Sequence, residues 1–189
     1  MEEDIVIIGI LIAVFAFAAW LFWRQQRREA LISKYGPEYE RLVREKGDAK
    51  KAERELEERE ARVRDFRLRA LDPGERDRYW SECQRVQALF VDHPQDAVEE
   101  AHRLLMVVMR ERGYPDATLE QRGRDLSVHY PDLVSSYREA AAISDASRAS
   151  GNTSTEDLRQ ATIHYRSLFA ALLDEGDKGR RRPKYEAAS

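Results

Sequence analysis

The chain of 189 residues carries a formal net charge of −3, and the three acids that follow its first residue account for all of it. Acids and bases balance over the rest of the chain, which excludes a strongly basic nucleic-acid-binding protein and a strongly acidic mimic. Hydrophobic residues make up 42%, too many for a fully disordered chain, and nine glycines and six prolines are too few for a loop-rich all-β protein. The single cysteine, Cys83, excludes an intramolecular disulfide framework and a cysteine-based zinc site.

Residues 5–23 form the first element, an uninterrupted run without a charged side chain. As a helix this run would span roughly 28 Å, close to the thickness of the hydrocarbon core of a bilayer. A cleaved signal peptide needs a basic start, a shorter apolar core and small residues at the cleavage site, whereas this run follows acids and ends in bulky side chains. The pattern therefore predicts an uncleaved transmembrane helix over 5–23, preceded by a short extracytoplasmic segment, 1–4.

The residues that flank this run predict its orientation. Three acids precede the run and Arg24, Arg27 and Arg28 follow it, and excess Lys and Arg stay on the cytoplasmic side of a membrane. Trp20 and Trp23 suit the cytoplasmic interface, where an indole can keep its N–H in water. These five residues are the predicted membrane-interface anchors. We expect the bacterial plasma (inner) membrane to hold 5–23, with the N-terminus outside and the C-terminal domain in the cytoplasm.

Residues 24–70 predict a juxtamembrane segment and a charged helical stalk, with 21 charged side chains among the 32 residues from 38 to 69. The Gly36–Pro37 step predicts a helix break, and Gly47 is a second weak point, so the continuity of the stalk stays open. Two of the four positions that would complete a coiled-coil seam are charged, which favours a solvated single helix. The apolar residues of that seam recur every seven positions: Leu42, Ala49, Leu56 and Val63.

Two weaker signals concern further contacts. Gly9 and Ala13 are spaced so that two membrane helices could approach closely, and with the stalk they leave a weak homodimer open, although a plain lipid-facing helix is favoured. The tail, 176–189, is charged and lacks aliphatic periodicity, so we expect it to be disordered. Its basic cluster, 180–184, could contact anionic lipid, but a solvated tail is favoured.

For residues 71–175 the pattern predicts a small antiparallel bundle of about four helices, because helix start and stop signals recur around amphipathic segments. Asp72 and Glu75 form a capping box for the first of these helices, and Gly113 is placed to end the second. Two more capping boxes are predicted: Thr118 with Gln121, and Thr153 with Glu156. With no convincing strand pattern, the predicted fold class is all-α.

Apolar stripes on these helices predict the core of the bundle. The first helix carries Tyr79, Trp80, Cys83, Val86, Leu89 and Phe90. The last helix has the most regular stripe, at spacings of three and four: Leu158, Ala161, Tyr165, Leu168, Phe169 and Leu172. The aromatic side chains are therefore predicted to be core and not a platform for stacking bases, since no basic groove accompanies them.

Motifs for catalysis are missing. Glu99 and His102 have the spacing of half of a di-iron ligand set, but the second half is absent. Ser127 and His129 are close in sequence without the glycines of a nucleophile elbow, and there is neither a Walker A nor a dinucleotide-binding motif. Cys83 lies on an apolar stripe and is interpreted as a buried small hydrophobe. We expect no catalytic, cofactor-binding or metal-ligating residue, no enzymatic activity, no cofactor and no nucleic-acid partner.

Five stretches carry a resemblance to known proteins: 35–41 (YGPEYER), 86–92 (VQALFVD), 109–115 (MRERGYP), 125–131 (DLSVHYP) and 154–161 (STEDLRQA). Together they resemble a family of bacterial single-pass membrane-anchored proteins, common in high-GC genomes, with a charged stalk and a small helical domain. The likeness covers most of residues 35–173. It implies a membrane-anchored helical architecture and carries no activity, because none is assigned to that family.

The leading hypothesis is a cytoplasmic helical interaction module on a single-pass anchor, with a protein partner that the sequence does not identify. The alternative is a stalk-type structural subunit of a membrane complex, similar in layout to the stator stalks of rotary ATPases. An enzyme whose site residues lie far apart in sequence is the third and least favoured interpretation.

Overall fold

The computed structural model describes residues 2–150 and 153–178, and side chains over 14–149 and 153–174. These residues form eight α-helices, one short 3-10 turn (Pro131–Leu133) and no strand, which confirms the all-α prediction. The helices are α1 (Glu2–Tyr35), α2 (Pro37–Lys46), α3 (Ala49–Arg64), α4 (Pro73–Leu89), α5 (Pro94–Glu111), α6 (Leu119–Ser127), α7 (Val134–Ser150) and α8 (Thr155–Lys178). The predicted helix–helix contact at Gly9 and Ala13 and the predicted role of the basic cluster 180–184 fall outside what the structure describes.

The chain divides into two compact units, Met1–Glu57 and Glu58–Ser189. The boundary between the two units lies within α3. In the first unit, α1 ends at the predicted break, where Gly36 has φ 44° and Pro37 begins α2 in its first turn. Gly47, with φ 66°, ends α2 in the left-handed conformation, and its N–H donates to the Val43 carbonyl. The stalk is therefore not one continuous helix.

The first unit has a small hydrophobic core of its own. Leu42 and Leu56, two of the residues with seven-residue spacing, are both 0% exposed. The expectation of a solvated single helix is therefore wrong for these residues, because the spacing serves packing within one chain. The buried members of the core come from α1, α2 and α3: Leu31, Tyr35, Tyr39, Leu42, Ala52 and Leu56.

Where the structure describes side chains, no helix is both long enough and apolar enough to cross a membrane. The first half of the predicted span, residues 5–13, belongs to α1, but its side chains lie outside the described ones. The transmembrane helix over 5–23 stays a prediction.

In the second unit, the long helices α4, α5, α7 and α8 share one core with the shorter α6, as expected for a helical bundle. The capping box of α4 is confirmed, since the Asp72 side chain accepts from the Glu75 N–H and the Glu75 carboxylate accepts from the Asp72 N–H. Thr118 caps α6, since its Oγ1 accepts the Gln121 N–H at 3.2 Å. The predicted capping box is not completed, because the Gln121 side chain bonds Asp125 and Arg124 instead. The α8 stripe is buried along its whole length, which confirms that it is core: Leu158, Ala161, Tyr165, Leu168, Phe169 and Leu172.

Two predictions about the bundle need correction. The cap of α8 is Ser154, whose Oγ accepts the Asp157 N–H at 3.1 Å, and not Thr153 with Glu156. Ser154 precedes the first helical residue directly, which places its oxygen within reach of the first turn. Trp80 is 37% exposed and lies beside the core instead of within it, because its position on α4 is displaced from the buried face that carries Tyr79 and Cys83.

Candidate membrane-interface site

The second half of the predicted membrane span is a helix that is apolar on every side. Residues 14–23 belong to α1 and all of their side chains are exposed, with Phe15 at 77% and Phe22 at 66%. Ten consecutive residues make nearly three helical turns, so these side chains point in all directions around the axis. A helix with no polar face is suited to an apolar environment and not to water.

The predicted anchors lie at the C-terminal end of this exposed run. The Arg24 guanidinium carbon is 5.5 Å from the Trp20 ring centroid, and that of Arg27 is 5.1 Å from the Trp23 ring centroid. Both pairs are four residues apart, so each cation lies one helical turn beyond its aromatic ring. Cation–π contacts of this kind keep the charge next to the indole without removing it from water. We call Trp20, Trp23, Arg24, Arg27 and Arg28 the interface collar.

Two residues of the collar also bind carboxylates of α3. Arg27 forms an ion pair with Glu57 at 2.9 Å, and Arg28 lies 3.6 Å from Glu53. A hydrogen bond to Tyr39 and the nearby Glu53 carboxylate raise the pKa of Arg28. Arg28 is therefore held by α2 and α3 through Tyr39 and Glu53, whereas Arg24 contacts the Trp20 ring of its own helix.

A cleft beside the collar contains a residue that the sequence argument missed. Lys50, in the first turn of α3, lines it together with Arg24, Arg28 and Leu21, and its volume is about 340 Å³. Asp48 and Glu53 line the same cleft. The sequence shows that Lys50 follows the Gly47 break, but only the packing of α3 against α1 brings it near the collar.

A buried polar cluster in the second unit was also missed. The Tyr165 hydroxyl lies 3.0 Å from His102 Nδ1 and 2.9 Å from Ser144 Oγ, and Ser144 Oγ also donates to the Ala140 carbonyl. Burial raises the pKa of Tyr165 and lowers that of His102. The cavity that borders Tyr165 has a volume of about 20 Å³, room for about one water molecule. This cluster satisfies buried polar groups and has no space for a substrate.

The other candidate residues are not brought together into a site. His102 binds Tyr165 while Glu99 is exposed, and the described residues contain no group of three or more His, Cys, Asp or Glu that could hold a metal ion. Ser127 donates to the Arg124 carbonyl at 2.6 Å, and His129 Nδ1 lies 3.1 Å from the Tyr114 hydroxyl. Cys83 is buried as predicted, and burial raises the pKa of its thiol.

An open groove of the second unit contains Trp80. Its volume is about 550 Å³, and its walls come from α4 and α8. Arg76 and Asp77 lie on one wall and Asp174 on the other, with Leu173 as a further apolar side chain. The groove thus combines an exposed indole with charges of both signs, a combination common at protein interfaces.

No protein-family model, curated protein or solved structure matches the chain. The resemblance of residues 35–173 to bacterial membrane-anchored proteins therefore stays a prediction.

Proposed function

We propose that this protein is a single-pass protein of a bacterial plasma membrane that presents its helical bundle to a protein partner in the cytoplasm. The observation that carries the proposal is the exposed apolar run 14–23, followed directly by the interface collar. Exposed aromatic and aliphatic side chains around a whole helix are costly in water and are stabilised by lipid. The run continues through residues 5–13, which are equally free of charge in the sequence.

The orientation follows from the arginines of the collar, which belong on the cytoplasmic side. Residues 24–189 are then cytoplasmic, and the N-terminus is outside. The first test is extraction of membranes with alkaline carbonate, which removes peripheral proteins: the full chain should stay in the pellet. A reporter that is active only in the cytoplasm, fused after Ser189, should be active. Extraction of the chain by carbonate would contradict the anchor, and a silent reporter would contradict the orientation.

The Trp80 groove supports an interaction role for the bundle. Exposed tryptophan is frequent among residues that dominate binding energy, and a mixed-charge rim gives specificity. A photoreactive amino acid in place of Trp80 should cross-link to one discrete partner in native membranes. The matched control is the same amino acid in place of Val91, which is exposed but outside the groove. Equal cross-linking from both positions would contradict a specific surface on α4 and α8.

A further inference from the structure

The cleft beside the interface collar carries positive charge that its own carboxylates do not compensate. Glu53 is occupied by Arg28 at 3.6 Å and by the Tyr39 hydroxyl, which donates to Oε1 at 3.2 Å. Asp48 Oδ1 accepts the backbone N–H of Lys50 at 2.8 Å, as the cap of α3. Among the ion pairs of the described residues, neither Arg24 nor the Lys50 ammonium takes part in one. Two cationic groups therefore line the cleft without a carboxylate of their own.

The position of the cleft relates these cations to the apolar run. Leu21, a member of the exposed run 14–23, lines the cleft, and Lys50 lines it as well. Arg24, one turn of α1 beyond Leu21, lines the same cleft. A molecule in the cleft would therefore have cations around one part and the apolar run beside another, as a phospholipid requires.

We propose that this cleft binds the phosphate group of an anionic phospholipid, an inference that rests on the proposed membrane anchor. The Arg24 guanidinium supplies paired N–H donors that match phosphate oxygens, and the Lys50 ammonium supplies a compact charge. A volume of about 340 Å³ is within the range of small-molecule sites. The acyl chains of the lipid would lie along the apolar run.

The charges of the cleft also determine which headgroup it takes. Three cations and two carboxylates, Asp48 and Glu53, leave a formal charge of +1, which a phosphodiester with one negative charge neutralises. The trimethylammonium of phosphatidylcholine would add a positive charge next to Arg24 and Lys50. The cleft therefore selects phosphatidylglycerol over phosphatidylcholine.

The test is native mass spectrometry of the full chain in a neutral detergent, titrated separately with phosphatidylglycerol and phosphatidylcholine. One phosphatidylglycerol should be retained in preference to phosphatidylcholine. Arg24→Gln and Lys50→Gln should each reduce its retention about fivefold, the effect of about one lost cation near a phosphate. Lys51→Gln is the matched control, because it removes the same charge from the next residue, which does not line the cleft. Lys51→Gln should leave the retention of phosphatidylglycerol unchanged, because a neutral detergent micelle offers no anionic surface to which Lys51 could bind.

A gain-of-binding variant tests the same charges in the opposite direction. Asp48→Asn keeps an oxygen that can cap α3 but removes one negative charge, so retention of phosphatidylglycerol should rise. Equal losses in Lys50→Gln and Lys51→Gln, or no response to Asp48→Asn, would overturn the site. Displacement of the lipid by inorganic phosphate in excess would show a site for soluble phosphate and would overturn the lipid assignment.

Flotation of the wild-type chain with phosphatidylcholine vesicles separates this inference from the proposed anchor. A chain that does not float contradicts the anchor itself. A chain that floats but retains both lipids equally contradicts only the cleft.

Discussion

The buried hydrogen-bonded cluster around Tyr165 shows how burial affects the stability of the second unit at the scale of single residues. Tyr165 is 2% exposed, and its hydroxyl has its hydrogen bonds supplied by Ser144 and His102. Such a cluster stabilises the core only while each member keeps its hydrogen-bonding state, because an unsatisfied buried polar group costs about 1–3 kcal/mol. His102 is the member whose state changes with pH.

Burial lowers the pKa of His102, with a further contribution from Arg122 and Arg148 and an opposing one from Asp145. The unfolded chain therefore takes up a proton at a higher pH than the folded chain, so stability should fall as the pH drops below about 6.5. His102→Gln, which can still hydrogen-bond the Tyr165 hydroxyl but does not titrate, should remove that part of the fall. The measurement is the unfolding midpoint of the full chain in detergent between pH 7 and pH 5. His93→Gln, at an exposed position, is the control and should retain the dependence of the wild type; an unchanged slope in His102→Gln would refute the assignment.

Among the glycines that the structure describes, Gly113 leaves the least room for a side chain. Its φ is +94°, and a Cβ there would lie 2.4 Å from the Arg67 carbonyl oxygen. The chain after α3 passes this close because the Arg69 N–H donates to the Arg112 carbonyl at 3.0 Å. Gly113→Ala should therefore destabilise the second unit by more than the 1–2 kcal/mol of a left-handed residue alone. Gly47→Ala, with φ +66° and nothing within 4 Å of the added Cβ, should show only that smaller loss in its own unit.

Among the elements, α8 contributes the longest continuous face to the core. Leu168→Ala should destabilise the second unit by about 2–5 kcal/mol, because the side chain is buried and its removal leaves a cavity. Ile163→Ala on the same helix is the control, since Ile163 is 41% exposed, and should stay within about 0.5 kcal/mol of wild type. Hydrogen exchange of α8 peptides in the full chain, followed by mass spectrometry, measures both. Faster exchange in the control variant than in Leu168→Ala would contradict the packing described for α8.

The elements that were predictable are those fixed by local chemistry. The Gly36–Pro37 break, the Asp72 capping box and the Gly113 stop each depend on a few neighbouring residues, and the structure confirms all three. The stalk was mispredicted because a seven-residue spacing of Leu42 and Leu56 does not say whether the partner helix belongs to the same chain or to another.

Contacts between distant segments could not be predicted either, because a sequence pattern does not identify the segment that a side chain will contact. Asp125 is 2% exposed and accepts hydrogen bonds from Arg62 Nε at 3.0 Å and Gln121 Nε2 at 2.7 Å. Arg62 is separated from Asp125 by about sixty residues and belongs to a segment that the charge pattern predicts to be solvated. In the candidate site, the five residues of the collar lie within nine positions of one another, so their proximity could be predicted, whereas that of Lys50 could not; their role at a membrane interface stays a prediction.

At the scale of the whole molecule, charge asymmetry about residues 5–23 is the feature on which the proposed membrane orientation rests. Acids contribute little to that rule, so a variant with Glu2→Gln, Glu3→Gln and Asp4→Asn should keep its C-terminus in the cytoplasm. Replacement of the same three residues by lysine should produce a mixed population, because positive charge then flanks both ends. Paired reporters after Ser189, one active inside and one active outside, measure the two orientations. Inversion by the neutral variant, or no change with the lysines, would contradict the orientation rule for this chain.

The uninterrupted course of α1 has a mechanical consequence. The helix passes without a break from Trp23, the last residue of the exposed run, to Leu31 and Tyr35 in the core of the first unit. Leu31 is eight positions beyond Trp23, so about 12 Å of continuous helix without a linker joins them. A bilayer that holds residues 5–23 would therefore fix the height of the hydrophobic core of the first unit above its surface, and any tilt or rotation of α1 would turn that core by the same angle.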